Sequence, residues 1–572
     1  MDFVQNYDPL SSPFASTLLA AAPIVVLLGL LVAGMAAHRA ALVGLATALL
    51  VATLGFGMPA DKAAAAAIYG TCFGLLPIGW IVLSAVFLYH LTVRAGQFEV
   101  IKHSVAALSP DRRMQALLIA FCFGTFLEGA AGFGTPVAIS AALLIGLGFS
   151  PLYAAGLALL ANTSPVAFGA LGTPIRTLAE ISGLDEMALS KMAGRQLPLF
   201  SLLVPAWLVV VMAGWRGLRG CWPAVLVCGA SFAIVQFLMS NYHGPALVDV
   251  VGGLASLALT AVFLRMWQPA VPWRFADEPA ESTAVPVRPT PREALYAWMP
   301  WLLLSLLVFL WGVPAIKTTL SGGTAKAPGV LAGWSARSFE VPRLHGQVYR
   351  AAPVAAKVDN TGRALVAEAA VYKFDWLATT GTGIFLAAIA TAAWLRIGPR
   401  VFVAQLADTF MQMRTALLTI ACMLAIAYVT KFSGTDATLG LAFTRTGPLF
   451  PFFAPLLGWL GVALTGSDTS SNALFGSLQR ITAEKLGLNP ILIVASNSTG
   501  GVMGKMIDAQ SIVVAAVATR QTGGEGRILR FVFWHSVVLA CLVGVVTFLQ
   551  SNVLAWMVPE PAAVHSSADD GK

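Results

Sequence analysis

Leu127-Glu-Gly-Ala-Ala-Gly-Phe-Gly-Thr-Pro136 sits in the middle of an apolar region running from about 114 to 148. One helix crosses a hydrocarbon core of about 30 Å with roughly 20 residues, so the region is too long for a single span. Backbone groups in lipid must be hydrogen-bonded internally. A Gly- and Pro-rich interruption is tolerated there only where it is buried in protein or lines a cavity. The stretch therefore predicts a helical hairpin, 114–148, that enters the membrane and returns on the same side with Glu128 at its tip. A second long apolar region, 448–486, is interrupted by Gly466-Ser-Asp-Thr-Ser-Ser-Asn472 and predicts a second hairpin.

The rest of the chain sets the same scene. Its 572 residues are 58% hydrophobic and only 11% charged, against roughly a quarter charged in a soluble protein. Too few charges remain to cover a water-facing surface. Full spans are expected near 17–37, 40–58, 66–92, 153–175, 196–213, 221–240, 249–267, 297–313, 376–395, 412–430, 490–512 and 531–555. The weak alternation of a transmembrane barrel is absent from the sequence. The expected fold is thus an all-α polytopic membrane protein, with about 12 full spans plus two re-entrant hairpins. The net charge of +8 comes from Lys and Arg spread over loops, which orients a membrane protein and does not point to nucleic acid. The six cysteines lie in apolar segments without a CxxC and read as small core residues.

The basic residues also suggest which loops face inward. With the N-terminus outside, His38 and Arg39, Arg94 to Arg113, Arg216 and Arg219, Arg265 to Arg292, Arg396 and Arg400, and Arg520 to Arg530 fall on the cytoplasmic side. Arg176, Lys191, Arg195, Lys431 and Arg445 fall outside. The expected organisation is a first half over 1–268, a cytoplasmic linker over 269–296, a span over 297–313 and an extracytoplasmic loop over 314–375. A second half follows over 376–556, then a polar tail over 557–572. The 314–375 loop reads equally as an ordered cap or a loose insert. The expected location is the bacterial plasma (inner) membrane.

The two halves share one order of motifs. Each has a polar-tipped hairpin, a linker (Gly148-Phe-Ser-Pro151 or Gly487-Leu-Asn-Pro490) and a span with polar residues at its centre. Those centres are Ala161-Asn-Thr-Ser-Pro165 in 153–175 and Ser496-Asn-Ser-Thr-Gly-Gly501 in 490–512, both expected to be broken helices. The first hairpin opens from the cytoplasm and the second from outside, which is an inverted repeat of the kind secondary transporters use.

Broken helices facing each other present N-terminal amides with about half a positive charge each, beside Ser and Thr hydroxyls. That is the chemistry a carboxylate needs. The candidate substrate-binding residues are Gly132, Gly134, Thr135, Asn162, Thr163, Ser164, Ser467, Thr469, Ser470, Asn472, Ser496, Asn497, Ser498 and Thr499. Helix packing is the plainer reading of such small residues. Ionisable groups inside a membrane are functional candidates by default. Glu128, Asp468 and Asp508 are the candidate proton-coupling groups, and Glu128 comes first because its small apolar neighbours favour the neutral acid. Arg176 and Lys505 are candidate charge partners. Arg176 reads also as an interfacial anchor, and Lys505 with Asp508 as an ion pair that neutralises itself.

At these motifs the chain resembles the L-lactate permease family. The likeness runs along nearly the whole chain and is densest in GTFLEGAAGFGTPVAI (124–139), LANTSPVAFGALGTPI (160–175), GSDTSSNALFG (466–476) and SNSTGGVMGKMIDAQSI (496–512). It implies a secondary transporter that takes up L-lactate, D-lactate or glycolate with protons. A more distant similarity to divalent anion/sodium symporters makes a sodium-coupled carboxylate transporter the alternative. The first tip departs from that second group, being Gly- and Ala-rich around Glu128. No enzyme activity, cofactor or metal is expected: there is no HExxH, and the nearest approach to a P-loop, Thr499–Met506, lacks its first Gly and its final Ser or Thr. The expected partners are a small monocarboxylate, protons and the lipid bilayer, with room for a homo-oligomer.

Overall fold

The computed structural model describes residues 2–33, 35–106, 108–130, 132, 134–275, 289–322, 331, 333–355, 365–521 and 524–559. Residues 276–288 of the linker expected over 269–296 and 560–572 of the polar tail expected over 557–572 lie outside them.

The apolar runs form helices, as a chain without water to bond its backbone must. Ten helices among the described residues are long and apolar enough to cross a membrane, or eleven if the bent pair Pro151–Ala161 and Val166–Ser182 is one span. Two of the twelve expected spans differ from the rest. Those near 17–37 and 376–395 fall on helices Pro13–Val32 and Thr380–Trp394, which are not among the ten, their apolar stretches being the shorter Pro13–Leu27 and Thr380–Trp394. The helical region expected to begin near 448 as a hairpin arm extends further toward the N-terminus. Helix Thr435–Phe443 precedes it, and Thr435–Thr465 as a whole is long enough to cross.

The expected all-α architecture gains a small β cap. Ala336–Glu340 pairs antiparallel with Val371–Asp375. Phe3–Val4 pairs parallel with Val348 and Tyr349 of strand Val348–Arg350, whose Tyr349 and Arg350 pair antiparallel with Ala367 and Val366. The described part of 314–375 is therefore an ordered cap, stitched to the N-terminal residues. Lys62 holds it down, donating from Nζ to the Arg343 carbonyl and to Gln347 Oε1, both at 2.8 Å.

Burial of apolar area does not drive helices together in lipid; close packing does. Phe126 shows this in the first half. It lies edge-on to buried Trp301 at 4.9 Å between centroids, which backs the helix that carries Glu128. In the second half, helices Phe450–Thr465 and Pro490–Gly504 meet backbone to backbone. A Cβ on Gly458 would stand 1.8 Å from the Asn497 carbonyl oxygen, and one on Gly500 would stand 2.1 Å from that of Pro455.

Candidate functional site

Helix Gly124–Ala130 carries Glu128 in its last turn and then stops. Gly132 and Gly134 follow with φ of 58° and 80°, a left-handed backbone open to glycine at little cost, and helix Thr135–Gly146 leads away. Helix Pro151–Ala161 ends on Asn162, and Pro165, which has no N–H to give, lies in the break. The chain resumes at a bend of 61°. Ala170 and Leu171 are left-handed here (φ 42° and 58°), a conformation costing a non-glycine residue about 1–3 kcal/mol, and such strain concentrates at functional sites.

These two breaks meet at one carboxyl. Glu128 is buried, and its Oε2 accepts from Asn162 Nδ2 at 3.0 Å. A Cβ on Gly169 would come within 2.5 Å of Glu128 Oε1, so the glycine makes room for the acid.

The second half approaches from the other side. Gly466 ends one helix with φ 74°, and Ser467 caps the next, Asp468–Lys485, by accepting from the Ser470 amide. Asp468 Oδ2 accepts from Ser498 Oγ at 2.5 Å and from Asn472 Nδ2 at 3.3 Å. Lys505 donates to the Gly466 carbonyl at 2.6 Å and stands 3.3 Å from Asp508 Oδ2. Asp508 Oδ1 in turn caps helix Ala509–Ala518 through the Ser511 amide.

A cavity of about 310 Å³ lies between the two halves. Glu128, Gly132, Gly169 and Pro174 line it from the first half. Thr465, Gly466, Ser467, Asp468, Thr469, Ser470 and Lys505 line it from the second, and His38, Thr415 and Thr419 line it as well. Of the expected site residues, Gly132, Ser467, Thr469, Ser470, Glu128, Asp468 and Lys505 therefore share one cavity. Gly134 lies at the same tip, and the side chain of Thr135 lies outside the described positions.

The others sit behind this wall. Asn472 Nδ2 also donates to the Pro174 carbonyl at 3.2 Å, tying the second half to the first. Asn497 Nδ2 donates to Asn472 Oδ1 at 2.9 Å, and Gln479 donates to Asn497 Oδ1 at 3.2 Å. Thr499 donates to Gln196 Oε1, Ser496 to its own helix at Ile493, and Thr163 to Leu160. Ser164 Oγ is buried without a hydrogen-bond partner. Arg176 is elsewhere: it pairs with Glu186 at 3.4 Å and faces a larger vestibule of about 980 Å³ beneath the β cap.

One expectation is corrected. Ser496–Gly501 is not a break, because Pro490–Gly504 is a continuous helix. The interruption comes later, at Lys505–Asp508. The glycines serve close packing, and the segment has no proline to remove a helical donor.

The sequence reading missed Gln196 and Gln479, which bond the polar helix from behind, and Asp249. Asp249 is fully buried and stands at the start of Val248–Met266, so in sequence it looks like an interfacial span end.

Charge decides what the cavity can hold. Glu128, Asp468 and Asp508 surround a single lysine, Lys505. A small anion would find Lys505, three hydroxyls and the first-turn amides of Asp468–Lys485, where the helix dipole favours negative charge. It would also meet Glu128 and Asp468. A third negative charge in a poorly solvated pocket is strongly disfavoured unless an acid is neutral.

A family model described as L-lactate permease matches residues 16–554. The L-lactate permease of Salmonella typhimurium is 45% identical over 559 residues, covering 97% of this chain and 99% of that one. That of Bacillus subtilis is 45% identical, covering 98% and 100%. The glycolate permease GlcA of Escherichia coli is also 45% identical, covering 97% and 99%.

Proposed function

We propose that this chain, which belongs to the L-lactate permease family, takes up lactate or glycolate by proton symport across the bacterial inner membrane. The observation that carries this reading is the placing of two carboxyls, Glu128 and Asp468, in one cavity with Lys505. Lactate is an anion at neutral pH, and an inside-negative membrane opposes its uptake by about 2.3 kcal/mol per 100 mV. One proton carried with it cancels that cost. Lys505 and the hydroxyls of Ser467, Thr469 and Ser470 hold the carboxylate. Glu128 takes the proton that makes room for it, and Asp468, bonded by Ser498 and Asn472, orients the second-half tip.

The same reading assigns the architecture: two re-entrant hairpins within an inverted repeat of about twelve spans. In its support, Gly132 and Gly466–Ser467 line one cavity, and each helix pair is followed by a span carrying polar residues: Asn162 at the end of Pro151–Ala161, and Ser496 to Thr499 within Pro490–Gly504. Glu128 is on the arm that runs into its tip and Asp468 on the arm that leaves its tip, so the two acids are not positional copies of each other.

Flux of labelled lactate into proteoliposomes tests the reading. A pH gradient, acid outside, should drive accumulation, and a sodium gradient at equal pH should not. Accumulation driven by sodium alone would replace proton coupling with sodium coupling.

A further inference from the structure

Among the buried acids that the scheme above leaves unused, one is also unbonded in the described structure. Asp249 is 1% exposed, and neither carboxylate oxygen has a hydrogen-bond partner. An ionised carboxylate left so would be an uncompensated buried charge, which proteins avoid by protonation or pairing. The residue is held tightly against the helix that carries Glu128, since a Cβ on Gly129 would stand 2.7 Å from Asp249 Cβ.

Its position lies between two spaces. Glu128 lines the inner cavity. Gly244, Pro245 and Ala246, one turn before Asp249, line the vestibule under the β cap. Helix Gly169–Ser182 separates the two, with Pro174 on the cavity and Arg176 on the vestibule.

The charged surroundings of Asp249 are few. Glu128 acts on it from Gly124–Ala130. Glu128 itself faces Lys505 and Asp508 from the second half. Arg176, on the helix across from it, pairs with Glu186. His243, at the end of the preceding helix, is turned onto the Phe309 carbonyl at 3.2 Å. Cys122 and Cys228, on neighbouring helices, contact each other at 3.4 Å.

We infer that Asp249 is a proton relay between the vestibule and Glu128, so that the proton reaches the coupling acid by a route separate from the substrate. The step conserves atoms and charge. Protonated Asp249 gives its proton to the Glu128 carboxylate, and Asp249, left ionised, is reprotonated from water in the vestibule. Glu128 then holds the proton while the anion occupies the cavity. The inference rests on Glu128 being the coupling acid, as proposed above.

Asp249→Asn tests it, because asparagine copies the shape of the protonated acid but carries no proton onward. In proteoliposomes of the full chain, the variant should exchange labelled for unlabelled lactate within about twofold of wild type at equal pH on both sides. Accumulation under an inward pH gradient should fall at least about tenfold, and uptake should no longer rise as the outside pH is lowered. Wild-type accumulation and pH profile in Asp249→Asn would overturn the relay. If Asp249→Asn loses exchange too, Asp249→Glu decides. Recovery of accumulation with the carboxyl restored supports the relay, and failure to recover overturns it. Glu128→Gln, measured alongside, separates the two levels. If that variant still accumulates lactate, the coupling assignment itself fails. If it does not, and Asp249→Asn does, only the relay fails.

Discussion

Asn162 shows how much of the site rests on single side chains. It stands where Pro151–Ala161 ends, and its amide is the hydrogen-bond donor to Glu128, while its own Oδ1 is buried without a partner. Asn497 is one step further back, joined to Asp468 only through Asn472. Removing a partner of a buried polar or charged group costs about 1.5–3 kcal/mol, or roughly 10–100-fold. Asn162→Ala and Asn497→Ala should each lower lactate affinity or uptake by an amount in that range, beyond the effect of Leu159→Ala, a buried apolar control. Proteoliposome uptake at matched protein content is the measurement, and unchanged kinetics in both variants would remove the pair from the site. Glu128 and the Asn-Thr-Ser beside it are legible in the sequence as polar residues where lipid should be. Which of them face a cavity is not legible, because Ser496 and Thr499 satisfy themselves on Ile493 and Gln196, and that depends on a helix more than 290 residues away.

Two polar stretches of similar composition become different elements. Ala161–Pro165 breaks its helix, whereas Ser496–Gly501 continues as one. Pro165 accounts for the first, since it cannot donate and its ring blocks the turn before it. In the second, Gly500 and Gly504 lie four residues apart on the face that meets Phe450–Thr465, as small residues do at membrane helix contacts. Composition alone does not separate the two uses of glycine; the neighbouring helix does. Gly458→Val should therefore be severe, because its Cβ would overlap the Asn497 carbonyl, and overpacking of this kind costs about 1–3 kcal/mol or more. A lowered thermal midpoint in detergent is the readout. Gly29→Ala, with nothing within 4 Å of the new Cβ, should leave the midpoint unchanged or raised. Equal midpoints for the two variants would contradict the close contact.

At the scale of the whole chain, the membrane class and most helices are legible in the charge-free runs, because hydropathy alone forces them. The β cap is not: its strands are two to five residues long, and Phe3–Val4 pairs with Val348–Tyr349 across more than 340 residues. The cavity is not legible either, since it exists only where the two halves meet. The proposed orientation places the cap outside and the segment after Met266 in the cytoplasm. A membrane-impermeant thiol reagent should thus label Ser338→Cys and Arg274→Cys, both exposed, from opposite sides of the membrane. Labelling from one side would overturn the orientation. The central claim, that a monocarboxylate and a proton share this cavity with the proton on Glu128, is tested most directly by Glu128→Gln in sealed proteoliposomes. The glutamine keeps the shape and removes the titrating group. The account predicts that lactate exchange at equal pH persists while accumulation under a pH gradient is abolished, whereas Asp468→Asn loses exchange and accumulation together. Accumulation of lactate by Glu128→Gln under that gradient would contradict it.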